Sequence, residues 1–278
     1  MPFAFWKIFC YCFIGDSMDT NIKKLINDFK LISTKGWIES VSNSFGSVGL
    51  TFEKQLSKNP DSLYFPDYYG IEIKCSTINS KYPIYLFTTA FDGPTFPEID
   101  RIVNKYGSYD YIYKDKKTLF TKLSFTSKTL VNNQWYFKLS LDKKEEKIFL
   151  EVFDLKKNLI ERKSFIYVLT IYNHLMIKLQ KLAIIYALQK KTNNKKFFHY
   201  YKVYIYKLQS FDRFISLLTK GFIDISLISR IGKSGKDAGR YRNKNLVFAI
   251  NKELIFYLFD RIYYYNEQTS KEIINTKV

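Results

Sequence analysis

The chain has 278 residues, 46% of them hydrophobic and 18% aromatic, with a formal net charge of +18. That length and apolar content suit one large domain or two modest ones and exclude wholesale disorder, while the charge points to a polyanionic partner, nucleic acid ahead of an anionic membrane surface. The three cysteines (Cys10, Cys12, Cys75) and two histidines (His174, His199) exclude a disulfide framework and a four-ligand zinc centre, leaving any catalysis to carboxylates and lysines.

The opening MPFAFWKIFCYCFIG is apolar but too short to span a bilayer, and it lacks a basic start and a small-residue cleavage site. Residues 1–17 are read as a non-native or disordered N-terminal extension before a natural start at Met18; an apolar helix packed on the body is the alternative. Unpaired cysteines and the missing membrane segment fit a reducing cytoplasm. Residues 19–31 predict a helix, with Ile22, Leu25, Ile26 and Phe29 at spacings of three and four. Gly46 and Gly49 frame a loop, and Thr51 opens a second helix carrying Phe52, Glu53 and Leu56 until Asn59-Pro60 stops it. A strand runs through Ile71–Cys75 and a second through residues 81–91. Residues 119–125, 135–141 and 147–153 predict an antiparallel meander with turns at Asn132-Asn133 and Asp142-Lys143.

Further on, residues 171–188 predict a helix, although 182–187 are apolar enough for a buried strand. Residues 197–208 predict a strand, 211–220 a helix stopped at Gly221, and 223–230 another strand. The basic, glycine-rich GKSGKDAGRYRNKN follows, then a strand at LVFAIN. The aromatic run FYLFDRIYYY at 256–265 reads as an amphipathic helix covering the core. No internal repeat or dividing linker is visible. The fold class is α/β, with a mixed sheet flanked by helices and two lobes around a cleft.

The chemistry concentrates in YFPDYYGIEIKCS. Residues two apart on a strand share a face, so Glu72 and Lys74 point one way and Ile71, Ile73 and Cys75 the other. Two carboxylates, Asp67 and Glu72, with the Ile73 carbonyl between them, suit a hard divalent cation such as Mg²⁺. Such an ion neutralises a phosphate oxygen and activates water, and a lysine beside it stabilises the charge that develops on phosphorus. Alone, the string fits an ordinary cross-face ion pair equally well. The helix carboxylate Glu53, the preceding glycine-framed loop and the basic charge favour the catalytic reading.

GSVGLTFEKQL, then PDYYGIEIKCS, then IYLFT resemble the signature blocks of the MvaI/BcnI family of type II restriction endonucleases, close to the strand-nicking repair enzyme MutH. Weaker resemblances continue at NKYG (104–107), LEVFD (150–154), KLQKLA (178–183), RIG (230–232) and SGK (234–236), so the likeness spans about residues 18–254. It implies a PD-(D/E)XK nuclease core with a Mg²⁺ site of one or two ions. Asp67, Glu72 and Ile73 would be the ligands, Lys74 the catalytic lysine and Glu53 the helix carboxylate completing the acidic cluster. It also implies a monomer that clamps double-stranded DNA and cuts one strand at a time. A catalytic lobe at 18–160 and a recognition lobe at 161–278 are expected, their cores free to interleave.

The resemblance and the charge together place DNA contacts at Arg230, Lys233, Ser234, Lys236, Arg240 and Arg242. Arginine can read guanine through two parallel hydrogen bonds, worth about 1–3 kcal/mol of discrimination, whereas lysines hold phosphates. The family pattern carries histidines in this region and this chain has none after His199, so no particular target sequence is transferred. A methyltransferase is the expected genetic, not physical, associate, and no membrane is involved. The alternatives are a MutH-like nicking repair enzyme and a catalytically silent DNA-binding module. His174 and His199 read as structural, and Cys75 as buried opposite Lys74.

Overall fold

The computed structural model describes residues 19–44, 46–56 and 65–274; residues 1–17 and the Asn59-Pro60 helix stop lie outside them. In chain order the elements begin with α1 (Thr20–Ser33), β1 (Ile38–Glu39), α2 (Ser47–Gln55), β2 (Glu72–Thr77), β3 (Ile84–Thr89) and α3 (Glu98–Tyr106). There follow β4 (Ser108–Tyr109), β5 (Lys117–Leu123), β6 (Thr129–Val131), β7 (Trp135–Asp142), β8 (Lys147–Phe153) and β9 (Leu159–Tyr167). Next come α4 (Val168–Lys178), β10 (Lys181–Thr192), β11 (Lys195–Leu208) and α5 (Phe211–Thr219). The last are β12 (Ile223–Ile231), β13 (Tyr241–Ile250), β14 (Phe259–Asn266) and β15 (Lys271–Ile274).

Three sheets result. The first has the order β15-β14-β11-β10-β2, with β1 paired to β11; the second is β3-β13-β12-β5-β4 and the third β6-β7-β8-β9. The first sheet is mixed: β2 runs parallel to β10, with Leu182 opposite Glu72, while β10, β11 and β14 pair antiparallel. Strands from both sides of residue 160 share the first two sheets, since β2 joins β10 and β5 joins β12. No described helix is long and apolar enough to cross a membrane.

One core lies to each side of the first sheet. Leu182 and Ile184 of β10 enter the larger core, which continues over α3, α4, α5 and the other two sheets. Ala183, Ile185 and Ala187 enter the smaller, built on Ile22, Leu25, Ile26 and Phe29 of α1 and Phe52 of α2. A strand buried on both faces reads as a continuous apolar run. That run explains the first difference from the sequence reading: the helix expected over 171–188 ends at Lys178 and 182–187 is strand.

Two further expectations are corrected. Residues 256–265 do not form an amphipathic helix. A 3-10 turn ends at Tyr257 and β14 follows, pairing with β11, burying Tyr263 and leaving Tyr264 half-buried. The aromatic run fits either period, and the open edge of β11 selects period two. The expected meander also shifts by a strand. It comprises β6 to β9, while β5 pairs with β12 of the second sheet. Leu119, Thr121 and Leu123 alternate inward along β5 and fit either sheet, so the choice is made by a strand a hundred residues later.

Candidate active site

The local sequence of the catalytic segment dictates a tight hairpin. Tyr69 and Gly70 both take left-handed backbone angles, φ 45° and 83°. That is the requirement of a two-residue hairpin turn, and glycine meets it without strain. Tyr68 and Ile71 exchange backbone hydrogen bonds of 3.0 and 2.9 Å across it. The hairpin is fastened to α1: Asn21 Nδ2 donates to the Tyr69 carbonyl at 3.0 Å, Lys24 Nζ donates to the Tyr69 hydroxyl at 2.9 Å, and the Tyr68 hydroxyl donates to Asp28. This fold-back sets Asp67 beside the start of β2, where its Oδ2 accepts from the Ile73 N–H at 2.9 Å.

β2 is the edge strand of the first sheet, and its two faces separate as its alternation predicts. Ile73 and Cys75 pack into the smaller core. Glu72 and Lys74 face the other way and form an ion pair, with the glutamate side chain 1% exposed and the lysine 30%. A second ammonium, Lys178 Nζ from the end of α4, lies 3.5 Å from the same Glu72 oxygen. The other oxygen, Oε2, is buried and accepts no hydrogen bond. Burial raises the Glu72 pKa, Asp67 adds to the rise, and the two lysines oppose it without reversing it. A buried carboxylate with one oxygen unpartnered, beside a second carboxylate, is suited to a cation.

Glu53 stands on α2, which packs against β2. It lies near enough to Cys75 that, after burial, it is the largest cause raising that thiol's pKa. Among the described residues no three His, Cys, Asp or Glu side chains converge enough to hold a metal ion by themselves. Asp67 is close enough to Glu72 for its charge to raise that carboxyl's pKa, whereas Glu53 is seen acting on Cys75. Lys178 is the site residue the motif missed. It is more than a hundred residues from Glu72 in the chain and arrives because β10, which follows α4, runs parallel to β2.

The residues expected to touch DNA lie in the second sheet and its β12–β13 connection. Arg230 is exposed on β12 opposite Arg242 of β13, its guanidinium 4.6 Å from the Phe120 ring. Gly232 is required here, because a Cβ would fall 2.2 Å from the Asp237 carbonyl. Ser234, Lys236, Arg240 and Arg242 are exposed. Lys233 is different: it is paired with Asp110, whose pKa it lowers, while Lys116 Nζ donates to the Gly239 carbonyl at 2.6 Å. These contacts fasten the loop to residues 109–116, where Tyr109 and Tyr111 are exposed, an aromatic neighbourhood that no sequence signal marked. His174 is stacked on Phe87 at 5.1 Å and burial lowers its pKa; His199 packs edge-on to Trp37.

Among solved structures, restriction endonuclease MvaI in complex with its cognate DNA substrate matches with a TM-score of 0.80 at 26% identity, over 88% of this chain and 98% of that one. MvaI in the absence of DNA matches with a TM-score of 0.56 at 24% identity, over 93% of this chain and 99% of that one. The core is accordingly that of a PD-(D/E)XK-like nuclease. Comparison with curated proteins gives no match. The family model for the MvaI/BcnI restriction endonucleases matches residues 26–259, and the chain belongs to that family.

Proposed function

We propose that Asp67, Glu72 and Lys74 form the catalytic centre with which this restriction endonuclease hydrolyses phosphodiester bonds in double-stranded DNA. The observation that carries the assignment is Glu72: buried, short of one hydrogen-bond partner, and set between Asp67 and two lysines. Asp67, Glu72 and the Ile73 carbonyl would hold Mg²⁺, as one ion or two, with Glu53 of α2 completing the acidic cluster. The metal, when bound, neutralises a phosphate oxygen and favours ionisation of water. Lys74 reaches from the same face and stabilises the charge on phosphorus as the water oxygen bonds to it and the bond to the leaving sugar oxygen breaks. The proton released by the water ends on that leaving oxygen. Lys178 offsets part of the charge of Glu72 and opposes the rise that burial imposes on its pKa.

The chain acts as a monomer in this reading, cutting one strand at a time. A catalytic lobe drawn chiefly from 18–160 faces a recognition lobe drawn chiefly from 161–278, with strands exchanged between them. The likeness to MvaI in complex with its cognate DNA supports such a reading. Arg230, Arg240 and Arg242 supply base or phosphate contacts, Ser234 and Lys236 phosphate contacts, and Lys233 shapes the loop. The test is incubation of unmethylated phage DNA with purified protein and Mg²⁺, with the ends sequenced. Discrete fragments sharing a motif are expected. Nicks alone would favour the MutH-like alternative, and bound but uncut DNA the silent module.

A further inference from the structure

The face of the first sheet that carries Glu72 and Lys74 does not end with them. The strand register aligns Lys74 with Ile184 and Tyr204, and, two residues further along β2, Ser76 with Tyr186 and Lys202. Ile184 is covered by the larger core, but at the next row the cover thins and Tyr186 and Lys202 are only half-buried. Lys252, from the 3-10 turn Lys252–Tyr257, reaches into this row. Its Nζ donates to Ser76 Oγ at 2.8 Å and to the Ser80 carbonyl at 2.7 Å, and lies 5.8 Å from the Tyr186 ring. Lys202 Nζ lies 5.8 Å from that same ring.

Neither lysine has a carboxylate within salt-bridge distance among the described residues, and the Lys202 ammonium donates no hydrogen bond there. Burial alone lowers the Lys252 pKa, with no acid opposing it. Packing against the larger core accounts for the Tyr186 and Tyr204 rings. It does not account for two cations held beside an aromatic ring without a counter-ion. Two strand residues span about 7 Å, so this row meets whatever lies immediately beside the reacting phosphate.

We propose that Lys202 and Lys252, backed by the Tyr186 ring, hold the phosphates that adjoin the one being cut. The inference rests on the catalytic reading of Glu72 and Lys74 and adds to it the seat of the flanking backbone. Contacts of this kind carry no sequence information and set the position of the strand over the carboxylates.

The test is binding of the full chain to a fluorescent duplex of arbitrary sequence without divalent metal, across a salt series, for the unaltered protein, Lys202→Gln and Lys202→Gln/Lys252→Gln. Each lysine that neutralises a phosphate contributes about one to the slope of log affinity against log salt, so the slope is expected to fall by about one and then about two. The motif cut from a randomised library is expected to stay the same. The Lys202 side chain makes no hydrogen bond that folding would miss, so the single variant guards against a loss of structure in the double one. Binding by the unaltered chain with an unchanged slope in both variants would overturn this inference and leave the catalytic reading standing. Failure of the unaltered chain to bind duplex would remove both.

Discussion

Two buried acidic clusters in this protein look alike in composition and differ in how completely they are satisfied. Between α3 and β9, Glu161 accepts from Arg101 at 2.5 Å, Lys105 at 2.6 Å and the Tyr106 hydroxyl at 2.9 Å. Beside it, Glu98 accepts from Arg101 at 2.6 Å and from the Ser164 hydroxyl at 2.6 Å. Hydrogen bonds there outweigh burial, and the Glu161 carboxyl is pulled down to about 2. At β2, Glu72 has Lys74 and Lys178 on one oxygen and nothing on the other, and burial wins, so its pKa rises. A carboxylate whose oxygens are all engaged fastens two elements together. One more deeply buried and left half-engaged is held ready for something that binds there, and a hydrolytic site needs the second kind.

The largest effect that would sharpen this contrast is on cutting. Lys74→Ala or Asp67→Ala should lower the cleavage rate by roughly a thousandfold or more while leaving DNA binding in Ca²⁺ largely intact, measured by gel assay and by anisotropy. Cleavage retained in either variant would dissolve the site. The next effect falls on stability at the other cluster. Glu161→Ala should cost about 1–3 kcal/mol in urea unfolding, because Arg101 and Lys105 lose a buried acceptor although Arg101 keeps Glu98, with the cleavage motif unaltered. A loss under about 1 kcal/mol would show the cluster to be a surface ornament.

pH separates the two clusters by sign. Glu161 contributes stability above its ordinary value near 4.5, and that contribution is lost as pH falls toward about 2. Glu72 runs the opposite way: its protonated form is favoured by the fold, and stability is lost as pH rises from 4.5 through its raised value. Glu72→Gln should therefore unfold at the same or a higher temperature than the unaltered chain at neutral pH without metal, and should lose any stabilisation by Mg²⁺. A clear drop in melting temperature would make Glu72 a structural carboxylate like Glu161. The smallest effect is on site choice. Arg230→Ala should relax one position of the target by about 1–3 kcal/mol, read from a randomised library, and an unchanged preference would move base reading away from β12.

The parts of the site legible in the sequence are those built within a short window. Asp67, Glu72 and Lys74 span one hairpin and one strand, so period-two alternation and a glycine at the turn are enough to bring them together. Lys178 was illegible as a site residue because its position depends on the parallel pairing of β10 with β2, a contact across more than a hundred residues. The same limit explains the fold. α1 and β7–β8 follow from local pattern, whereas the sheet that takes β5, and the strand that β14 becomes, are decided by partners far along the chain. Lys233 is indistinguishable in sequence from its basic neighbours, and only the pairing with Asp110, more than a hundred residues away, sets it apart.

The central claim is that Glu72 is a catalytic carboxylate and not a structural one. The most direct measurement is cleavage by the unaltered chain and by Glu72→Gln across a Mg²⁺ titration, with DNA binding in Ca²⁺ measured on the same preparations. The account predicts metal-dependent cleavage by the unaltered chain, and a folded Glu72→Gln that binds DNA and does not cut it at any metal concentration. Cleavage by Glu72→Gln at the unaltered rate would contradict it.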